Sequence, residues 1–327
     1  MKAIQLKAFG GPEELYIGRY EKPSPQPHEV LVKVAATALN RADTLQRMGK
    51  YPPPKGESEI MGLEMAGTVV ACGRDVHHLK EGNQVCGLLG GGGYAEYATI
   101  AGSLALPWPK GFDAVQAAAV PEVFLTAFQA LRWLAQLQES ERVLVHAGAS
   151  GVGTAAIQLA KAMGTEVLVT ASGGKHELCK SLGATLAIDY KKEDFAERVA
   201  AYTDGRGVDV IVDFIGGAYF QQNLEALATE GRLVMLAFLG GVKPDEVNLA
   251  PILRKRLHIM GSTLRARDLE YKIRLSQDLQ RFAWPLFENG TLKPVVDRVY
   301  DWAEVAEAHR HMESNQSKGK IVLRVDG

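Results

Sequence analysis

ERVLVHAGASGVGTAAIQLAKAM, residues 141–163, places a strand, a glycine-rich turn and a helix in direct succession. Residues 142–146 are a short apolar run with β-branched valines, which predicts a buried strand. Gly148, Gly151 and Gly153 follow at once, and apolar residues then recur at helical spacing. Glycines allow a sharp turn and let backbone N–H groups approach a pyrophosphate at the positive end of a helix. Between this strand and this helix, the glycine pattern predicts a dinucleotide-binding unit, although alone it would be a weak signal.

Strands and helices continue to alternate after this unit. Apolar runs with β-branched residues predict the strands, and helical spacing of apolar residues predicts the helices between them. The predicted strands cover residues 166–170, 185–188, 208–213, 232–236 and 257–260, and the predicted helices cover residues 175–182, 193–202 and 221–228. This alternation predicts an α/β fold with a doubly wound parallel sheet.

The residues before this region are predicted to be mostly β. Residues 30–34 alternate between apolar and polar, and only residues 41–48 have clear helical spacing. The C-terminal part is predicted to contain helices at 269–287 and 304–312 and a strand at 321–325. Because this part is too short for a domain of its own, we expect it to return to the first domain. Residues 1–118 and 264–327 would then form one domain, into which a nucleotide domain of residues 119–263 is inserted.

The composition argues against several classes of partner. Lys plus Arg total 37 and Asp plus Glu total 38, so net charge favours neither nucleic acid nor an anionic membrane surface. No apolar stretch is long enough to span a membrane, and residues 1–9 alternate like a strand, unlike a signal peptide. The three cysteines lie far apart, which argues against a disulfide framework. We expect a cytoplasmic protein that binds neither nucleic acid nor a membrane.

Five further stretches, together with the glycine turn, resemble a known family. They are residues 40–43 (NRAD), 62–67 (GLEMAG), 92–97 (GGYAEY), 125–128 (LTAF) and 319–323 (GKIVL). These stretches are similar to the zinc-free medium-chain dehydrogenases/reductases of the quinone oxidoreductase (zeta-crystallin-like) family, and the similarity extends over essentially the whole chain. The resemblance implies a GroES-like, mostly-β catalytic domain plus a Rossmann domain that binds NADPH. It also implies a homodimer that reduces quinones.

The end of the second strand of the nucleotide domain indicates the cofactor. NAD sites usually carry a carboxylate about 20 residues past the first glycine, where it binds the ribose. Residues 170–175, TASGGK, contain no acid, whereas Lys175 supplies positive charge for a 2′-phosphate and Ser172 offers a hydrogen bond. The resemblance adds Tyr190, whose spacing from Lys175 matches the family. The alternative is a solvated lysine and a surface tyrosine, but we expect NADPH.

Further cofactor contacts are expected in the glycine turn and at the carboxyl ends of strands, where ligands of open α/β sheets bind. They are Gly148, Ser150, Gly151, Val152 and Gly153 in the glycine turn, Gly173 after the second strand, Ile215 after the fourth, and Phe238 and Leu239 after the fifth. The resemblance implies two more contacts, by Thr126 and Asn315. For Thr126 the alternative is a helix hydroxyl that is bonded to its own backbone.

The positions of the zinc ligands in other members of the superfamily predict that no metal is bound. By resemblance, these positions are Asn40 and Leu63, and neither side chain is a useful zinc ligand. Three cysteines also cannot supply a four-cysteine structural site.

Without a metal, the hydride acceptor must already be strongly electrophilic. Quinones, ortho-quinones among them, and conjugated enones meet this condition, whereas an unactivated ketone would need a Lewis acid. The resemblance places Asn40, Asp43 and Tyr51 in the segment that contacts the acceptor or the nicotinamide. Asn40 and Asp43 also have the spacing of a capping box for the helix at 41–48. Tyr51, which precedes three prolines, is alternatively a packing ring.

Three functions remain open on the sequence. The first is an NADPH:quinone reductase, and the second is an NADPH-dependent reductase of enones or enoyl thioesters. The third is an NADPH-binding structural protein with little turnover, which the lens crystallins of this family suggest. Turnover measured with a quinone and with an enoyl thioester distinguishes the three.

Overall fold

The computed structural model describes residues 1–244 and 246–325. The chain divides into two units, of which the first is Met1–Leu125 with Leu264–Gly327 and the second is Thr126–Thr263. The unit boundaries thus follow Leu125 and Thr263, against residues 118 and 263 in the sequence-based expectation.

The strands and helices are as follows in chain order. The strands are β1 Lys2–Leu6, β2 Leu15–Arg19, β3 Glu29–Ala38, β4 Glu64–Cys72, β5 Gln84–Leu88, β6 Tyr97–Ala101, β7 Leu106–Pro107, β8 Arg142–Val145, β9 Glu166–Ala171, β10 Leu186–Asp189, β11 Val208–Asp213, β12 Leu227–Met235, β13 His258–Gly261, β14 Val296–Asp301 and β15 Lys320–Arg324. The helices are α1 Arg41–Arg47, α2 Ala114–Ala118, α3 Pro121–Phe128, α4 Gly151–Ala162, α5 His176–Ser181, α6 Phe195–Tyr202, α7 Phe220–Ala226, α8 Ala250–Lys255, α9 Leu269–Glu288 and α10 Val305–Glu313. A π-helical stretch, Gln129–Leu134, continues α3. Among the described residues, no helix combines the length and the apolar character needed to cross a membrane.

The second unit contains a six-stranded parallel sheet in the order β10-β9-β8-β11-β12-β13. Val143, Leu144 and Val145 of the central strand β8 are fully buried, as expected where both faces of a parallel sheet are covered. From β8 the chain proceeds to β10 on one side and later to β13 on the other, so the strand order reverses between β8 and β11. The predicted doubly wound sheet is therefore confirmed, and ligands of such sheets bind at the carboxyl ends of these two strands.

The first unit contains a seven-stranded sheet in the order β14-β15-β3-β4-β5-β7, with β6 also paired to β3, and a separate two-stranded sheet of β1 and β2. Strand β15 comes from the C-terminal part and pairs antiparallel with β3, with Val322 opposite Ala38. Apolar side chains of these two strands, such as Val32 and Ile321, enter one core. The C-terminal segment thus completes a sheet that the N-terminal strands begin.

The largest difference from the sequence-based elements in the second unit lies at the start of β12. The sequence predicts a helix up to residue 228 and a strand from residue 232, but α7 ends at Ala226 and β12 begins at Leu227. Leu227 is fully buried and pairs with Val208, with an irregularity in the register that follows. Packing of Leu227 in the sheet overrides the local helical pattern, because tertiary contacts outweigh propensity. The other predicted elements of this unit agree with the structure within two residues.

Candidate active site

The glycine-rich turn connects the central strand β8 to α4. Ala147 has a φ of +48°, which non-glycine residues seldom adopt. A Cβ at position 153 would overlap the carbonyl oxygen of Ala147 and would lie 2.7 Å from that of Gly148, so only glycine fits there. Ser150 caps α4, since its hydroxyl oxygen accepts the Gly153 N–H at 3.0 Å. The predicted contacts Gly148, Ser150, Gly151, Val152 and Gly153 therefore lie in one turn at a helix N-terminus, which suits a phosphate group.

The turn after β9 contains Ser172, Gly173 and Lys175. A Cβ on the neighbouring Gly174 would have no atom within 4 Å, so this part of the turn is open. The turn itself carries no carboxylate, but Asp189 Oδ2 would lie 3.0 Å from a Cβ on Gly173. Inspection of residues 170–175 alone missed this acid, because it lies at the end of the neighbouring strand β10.

Two lysines follow Asp189 closely in the chain and contact its carboxylate. Its Oδ1 accepts the backbone N–H of Lys191 at 3.2 Å, and the Lys192 ammonium lies 4.0 Å from Oδ2. Tyr190 follows Asp189, and its side chain is exposed after the end of β10. The polar groups expected around a 2′-phosphate are thus all in loops after β9 and β10.

The loops after β11 and β12 are paired by backbone hydrogen bonds. The Leu239 N–H donates to the Phe214 carbonyl at 3.0 Å, and the Gly240 N–H donates to the Ile215 carbonyl at 2.8 Å. The predicted contacts Ile215, Phe238 and Leu239 therefore lie together, and the side chains of Phe238 and Leu239 are more than half exposed. Exposed apolar side chains at the carboxyl ends of strands are suited to a flat ring.

Thr126 shows that the second unit fits a ligand with polar groups. Its Oγ1 atom is buried and has no hydrogen-bond partner among the described residues, so the alternative of a hydroxyl bonded to its own backbone is not realised. A buried polar group without a partner costs free energy unless a ligand completes it. Together with the glycine-rich turn at the N-terminus of α4, this orphan hydroxyl fits a nicotinamide dinucleotide.

In the first unit, Asn40 belongs to a buried polar cluster with Glu64 and Lys320. The Lys320 ammonium donates hydrogen bonds of 2.7 Å to the Leu39 carbonyl and to Asn40 Oδ1, and it lies 2.7 Å from Glu64 Oε1. Glu64 is fully buried and Lys320 is 3% exposed, so this pair is a buried salt bridge.

The side chain of Asn40 is fully engaged as a donor. Its Nδ2 donates to Glu64 Oε1 at 2.8 Å and to the Ala38 carbonyl at 3.3 Å. Since an amide has two N–H groups and its Oδ1 already accepts from Lys320, Asn40 retains only acceptor capacity. Asn40 can therefore contact a ligand only by accepting a hydrogen bond.

Asp43 forms the capping box of α1 with Asn40, as the spacing predicts. Its carboxylate accepts the Asn40 N–H at 2.8 Å and the Gly62 N–H at 3.0 Å. Burial raises the pKa of Asp43 to about 6, although these two hydrogen bonds oppose the shift. Because Asp43 is fully buried, its role at the site is to hold the backbone of Asn40 and Gly62 in place.

Tyr51 lies near two titratable groups, Arg265 and Glu122. The Arg265 guanidinium carbon is 5.3 Å from the centre of the Tyr51 ring, within cation–π range. Arg265 is itself buried, and it donates to the Gly90 carbonyl at 2.7 Å and to Gln46 Oε1 at 2.8 Å. Burial raises the pKa of Tyr51, Arg265 opposes this shift and Glu122 adds to it. The Tyr51 hydroxyl makes no hydrogen bond within the described part of the chain, so it can donate one to a ligand.

Glu122 lies against Glu64, since its backbone N–H donates to Glu64 Oε2 at 2.8 Å. Burial, reinforced by the charge of Glu64, raises the pKa of Glu122 to about 8. Its Oε2 is buried and has no partner among the described residues. Glu122 therefore holds a proton at neutral pH.

Asn315 lies in the first unit, between α10 and β15, with a φ of +60°. Its side-chain oxygen accepts a hydrogen bond from Arg41, the first residue of α1. The structure thus assigns Asn315 to the unit of Asn40 and Tyr51, whereas the other predicted cofactor contacts lie in the second unit.

Sequence reasoning missed four residues of the first-unit site: Glu64, Lys320, Glu122 and Arg265. Glu64 is the one charged residue of β4, and Lys320 directly precedes the apolar run 321–323 of β15; a charge in such a position is a signal for a buried partner of opposite charge. Glu122 and Arg265 have no comparable local signal. In the described part of the chain, no three His, Cys, Asp or Glu side chains are grouped so that they could hold a metal ion.

Two family models match the chain, one in each half. Residues 26–110 match the alcohol dehydrogenase GroES-like domain, and residues 151–281 match the zinc-binding dehydrogenase family. The chain is 36% identical to a quinone oxidoreductase of Pseudomonas aeruginosa, covering 98% of this chain and 99% of the relative. It is 32% identical to the quinone oxidoreductase of Rattus norvegicus, covering 99% and 97%.

The solved structures that are similar to this chain include proteins named for different activities. An NAD-dependent alcohol dehydrogenase has a TM-score of 0.88 at 33% identity, with full coverage of both chains. The CurK enoyl reductase has a TM-score of 0.86 at 30% identity, covering 99% of both chains. A mycobacterial protein complexed with NADPH has a TM-score of 0.87 at 29% identity, covering 99% of this chain and 100% of that chain.

These matches extend over almost the entire length of the chain and of its relatives. They confirm the GroES-like domain plus Rossmann domain, and they identify an enzyme that takes a small-molecule substrate and a nicotinamide cofactor. The chain belongs to the zinc-free quinone oxidoreductase family of the medium-chain dehydrogenases/reductases, the NAD(P)H:quinone oxidoreductases.

Proposed function

We propose that this protein is an NADPH-dependent reductase that transfers a hydride to quinones without a metal. The observation that carries the proposal is the cluster of Asn40, Glu64 and Lys320. Asn40 Oδ1 and Glu64 Oε1 lie 2.7 Å from the Lys320 ammonium, and Glu64 Oε2 accepts the Glu122 N–H, so the cluster has no free carboxylate to hold a Lewis acid. The acceptor must therefore be electrophilic before it binds, and quinones meet this condition.

NADPH, when bound, supplies the hydride. The glycine turn at the N-terminus of α4 binds the pyrophosphate, and Ser172 and Lys175 bind the 2′-phosphate. The orphan hydroxyl of Thr126 donates a hydrogen bond to the cofactor. Apolar surface of Ile215, Phe238 and Leu239 covers the cofactor. Asn315 is a further proposed contact, contributed by the first unit.

Tyr51 is the proposed donor to the acceptor. As negative charge develops on the acceptor oxygen, the Tyr51 hydroxyl donates a hydrogen bond to it. Arg265 holds the Tyr51 ring and adds positive charge nearby. Asn40 has no donor left, so its proposed part is to accept a hydrogen bond and to fix the start of α1.

An NADPH-dependent reductase of enones or enoyl thioesters is the second candidate. The similarity to the CurK enoyl reductase, at 30% identity and a TM-score of 0.86, favours it. NADPH consumption should be measured with 1,2-naphthoquinone, a para-quinone, an enone and a medium-chain enoyl thioester. Quinone turnover that persists in the presence of a chelator, with no stoichiometric zinc in the protein, supports the proposal. Turnover of the thioester alone supports the second candidate, and no turnover with any acceptor supports a binding protein.

Lys175 tests the cofactor assignment. A charge-assisted hydrogen bond to a phosphate contributes about 1.5–3 kcal/mol before screening, so Lys175→Ala should lower kcat/KM for NADPH roughly 10- to 100-fold. The value for NADH should hardly change. Lys180→Ala, an exposed lysine on helix α5, which directly follows Lys175, is the matched control. A wild type that prefers NADH, or equal losses with both cofactors, would contradict the assignment, and Asp189 would then be the ribose-binding acid to examine.

We also propose a homodimer that forms through β13. This strand lies at the edge of the parallel sheet, and exposed edges invite pairing with another chain. Leu253, 82% exposed, and Leu249 and Ile259 present further apolar surface on or just before this strand. A second copy of the chain would cover these side chains.

A further inference from the structure

A chain of four buried polar side chains lies at the carboxyl ends of the central strands of the second unit. Thr170 is the penultimate residue of β9, His146 follows β8, Asn223 lies on α7 and Asp213 ends β11. All four are at most 1% exposed. His146 Nδ1 is 2.9 Å from Thr170 Oγ1, and His146 Nε2 is 2.7 Å from Asn223 Oδ1. Asn223 Nδ2 donates to Asp213 Oδ2 at 3.2 Å.

The chemistry of these groups fixes the direction of every hydrogen bond in the chain. Burial lowers the pKa of His146 to about 4, so the imidazole is neutral and carries one N–H. Because the Asn223 amide nitrogen donates to the Asp213 carboxylate, its Oδ1 faces His146 and must accept. The proton therefore lies on Nε2, and Nδ1 accepts from the Thr170 hydroxyl. Each donor has an acceptor, and the chain terminates at the carboxylate.

The two ends of this hydrogen-bonded chain, Asp213 and Thr170, hold the backbone of the loops that follow β11 and β8. Asp213 accepts the Ile215 N–H at 2.7 Å and the Gly216 N–H at 3.1 Å, where the loop between β11 and α7 begins. Gly216 has a φ of +80°, so this turn needs a residue free to adopt a left-handed conformation. At the other end, the Thr170 carbonyl accepts the Gly148 N–H of the glycine turn at 3.0 Å.

The aromatic neighbours keep the middle of the chain dry and rigid. The ring centres of Phe195 and Tyr219 lie 4.8 Å and 4.9 Å from that of His146, both edge to face. His146 therefore cannot exchange its partners for water, and a change at one end of the chain is transmitted by fixed hydrogen bonds.

We propose that His146 and Asn223 are positioning residues that hold the loop 214–217 against the glycine turn and so set the affinity for the nicotinamide half of the cofactor. In a doubly wound sheet the dinucleotide crosses the point where the strand order reverses, with one half on each side. The loop after β11 belongs to one side, and the turn with Lys175 belongs to the other. The proposal rests on the NADPH site proposed above.

The test compares a whole cofactor with its adenosine half. His146→Leu should weaken binding of NADPH roughly threefold to tenfold, the effect of one or two lost hydrogen bonds, measured by fluorescence titration or calorimetry. Binding of adenosine 2′-monophosphate, which has no 5′-phosphate for the glycine turn, should change less than twofold, because its proposed contacts, Ser172 and Lys175, lie outside this hydrogen-bonded chain. His146→Gln, which can still donate to Asn223, should restore most of the NADPH affinity.

Thr170→Val removes only the donor at the far end and keeps the shape of the side chain, so it covers the case in which His146→Leu does not fold. It should weaken NADPH binding about threefold and spare the fragment. Thr203→Val is the matched control, since this buried hydroxyl of the same unit donates to Val199 and accepts from Gly207. The control should change neither affinity.

Equal losses for NADPH and for the fragment would overturn the positioning role, because they would show a general loosening of the unit. Unchanged NADPH binding in folded His146→Leu would also overturn it. A wild type that binds the fragment but not NADPH, or that binds neither, would refute the cofactor proposal, a result that is separate from any effect of the variants.

Discussion

Replacing Lys320 by methionine should destabilise the first unit, because it removes one partner of a buried ion pair. Glu64 would keep its hydrogen bonds from Asn40 Nδ2 and from the Glu122 N–H, both at 2.8 Å. It would lose its one cationic partner among the described residues. Breaking a buried pair in this way costs about 3–5 kcal/mol. Because the two remaining hydrogen bonds stabilise the carboxylate, we expect the lower end of this range, about 3 kcal/mol.

The loss should be visible in both thermal and denaturant unfolding. For a unit of this size, about 3 kcal/mol corresponds to a fall in Tm of roughly 6–12 °C. Tryptophan fluorescence reports mainly on this unit, since Trp108, Trp284 and Trp302 belong to it. Lys33→Met is the matched control, because Lys33 is an exposed lysine on the neighbouring strand β3.

A double-mutant cycle separates the ion pair from general packing. Glu64→Gln together with Lys320→Met should cost less than the sum of the two single changes, because no unpaired charge remains. The deficit of Lys320→Met should also narrow from pH 7 to pH 5, since an unpaired buried carboxylate takes up a proton and the folded state then gains stability as the pH falls. Additive single effects, or a loss below about 1 kcal/mol, would refute the ion-pair argument.

Three further results are expected. As the pH rises from 4.5 to about 8, Glu122→Gln should gain stability over the wild type by up to about 1.4 kcal/mol per pH unit, because folded Glu122 keeps a proton that the unfolded chain has lost. Denaturant midpoints at several pH values test this, and a pH-independent difference would contradict it. Tyr51→Phe should lower kcat/KM for quinones roughly 2- to 13-fold, the value of one hydrogen bond, with unchanged NADPH binding. Asn40→Ala should in addition reduce stability, because it removes bonds to Glu64 and Lys320. Steady-state kinetics together with thermal unfolding distinguish the two variants. Light scattering at micromolar concentration should give twice the 35.5 kDa of one chain, and Ile259→Lys on β13 should shift the protein towards monomer; a monomeric wild type would refute the dimer.

The fold of the second unit was predictable because its signals are local. The glycine turn, the apolar run at 142–146 and the helical spacing after it lie within 23 residues, and β11 was predicted with its observed bounds, Val208–Asp213. The start of β12 was not predictable in the same way. Leu227 is placed by its pairing with Val208, and no window around residue 227 contains that partner.

The first-unit site was even less predictable from local sequence, because its residues are far apart in the chain. Asn40 and Lys320 are 280 residues apart in the chain, yet their side chains are 2.7 Å apart. The sequence identified Asn40 through a motif and Lys320 only as part of another motif, and nothing local joins them. The acid near Gly173 was missed for a similar reason, because Asp189 reaches the turn from the next strand of the sheet.

The hydrogen-bond count at Asn40 limits the chemistry of the site. The two amide hydrogens are donated to Glu64 and to the Ala38 carbonyl, the Lys320 ammonium is bonded to Leu39 and Asn40 and paired with Glu64, and Asp43 is fully buried. Of the three residues that the sequence proposed for catalysis, Tyr51 alone retains a donor for an acceptor oxygen, within the described part of the chain. One neutral hydrogen bond contributes about 0.5–1.5 kcal/mol, far less than a metal supplies to an unactivated carbonyl. An acceptor that takes up a hydride with so little assistance must hold the resulting charge by itself, and delocalisation over a quinone or an enone does this.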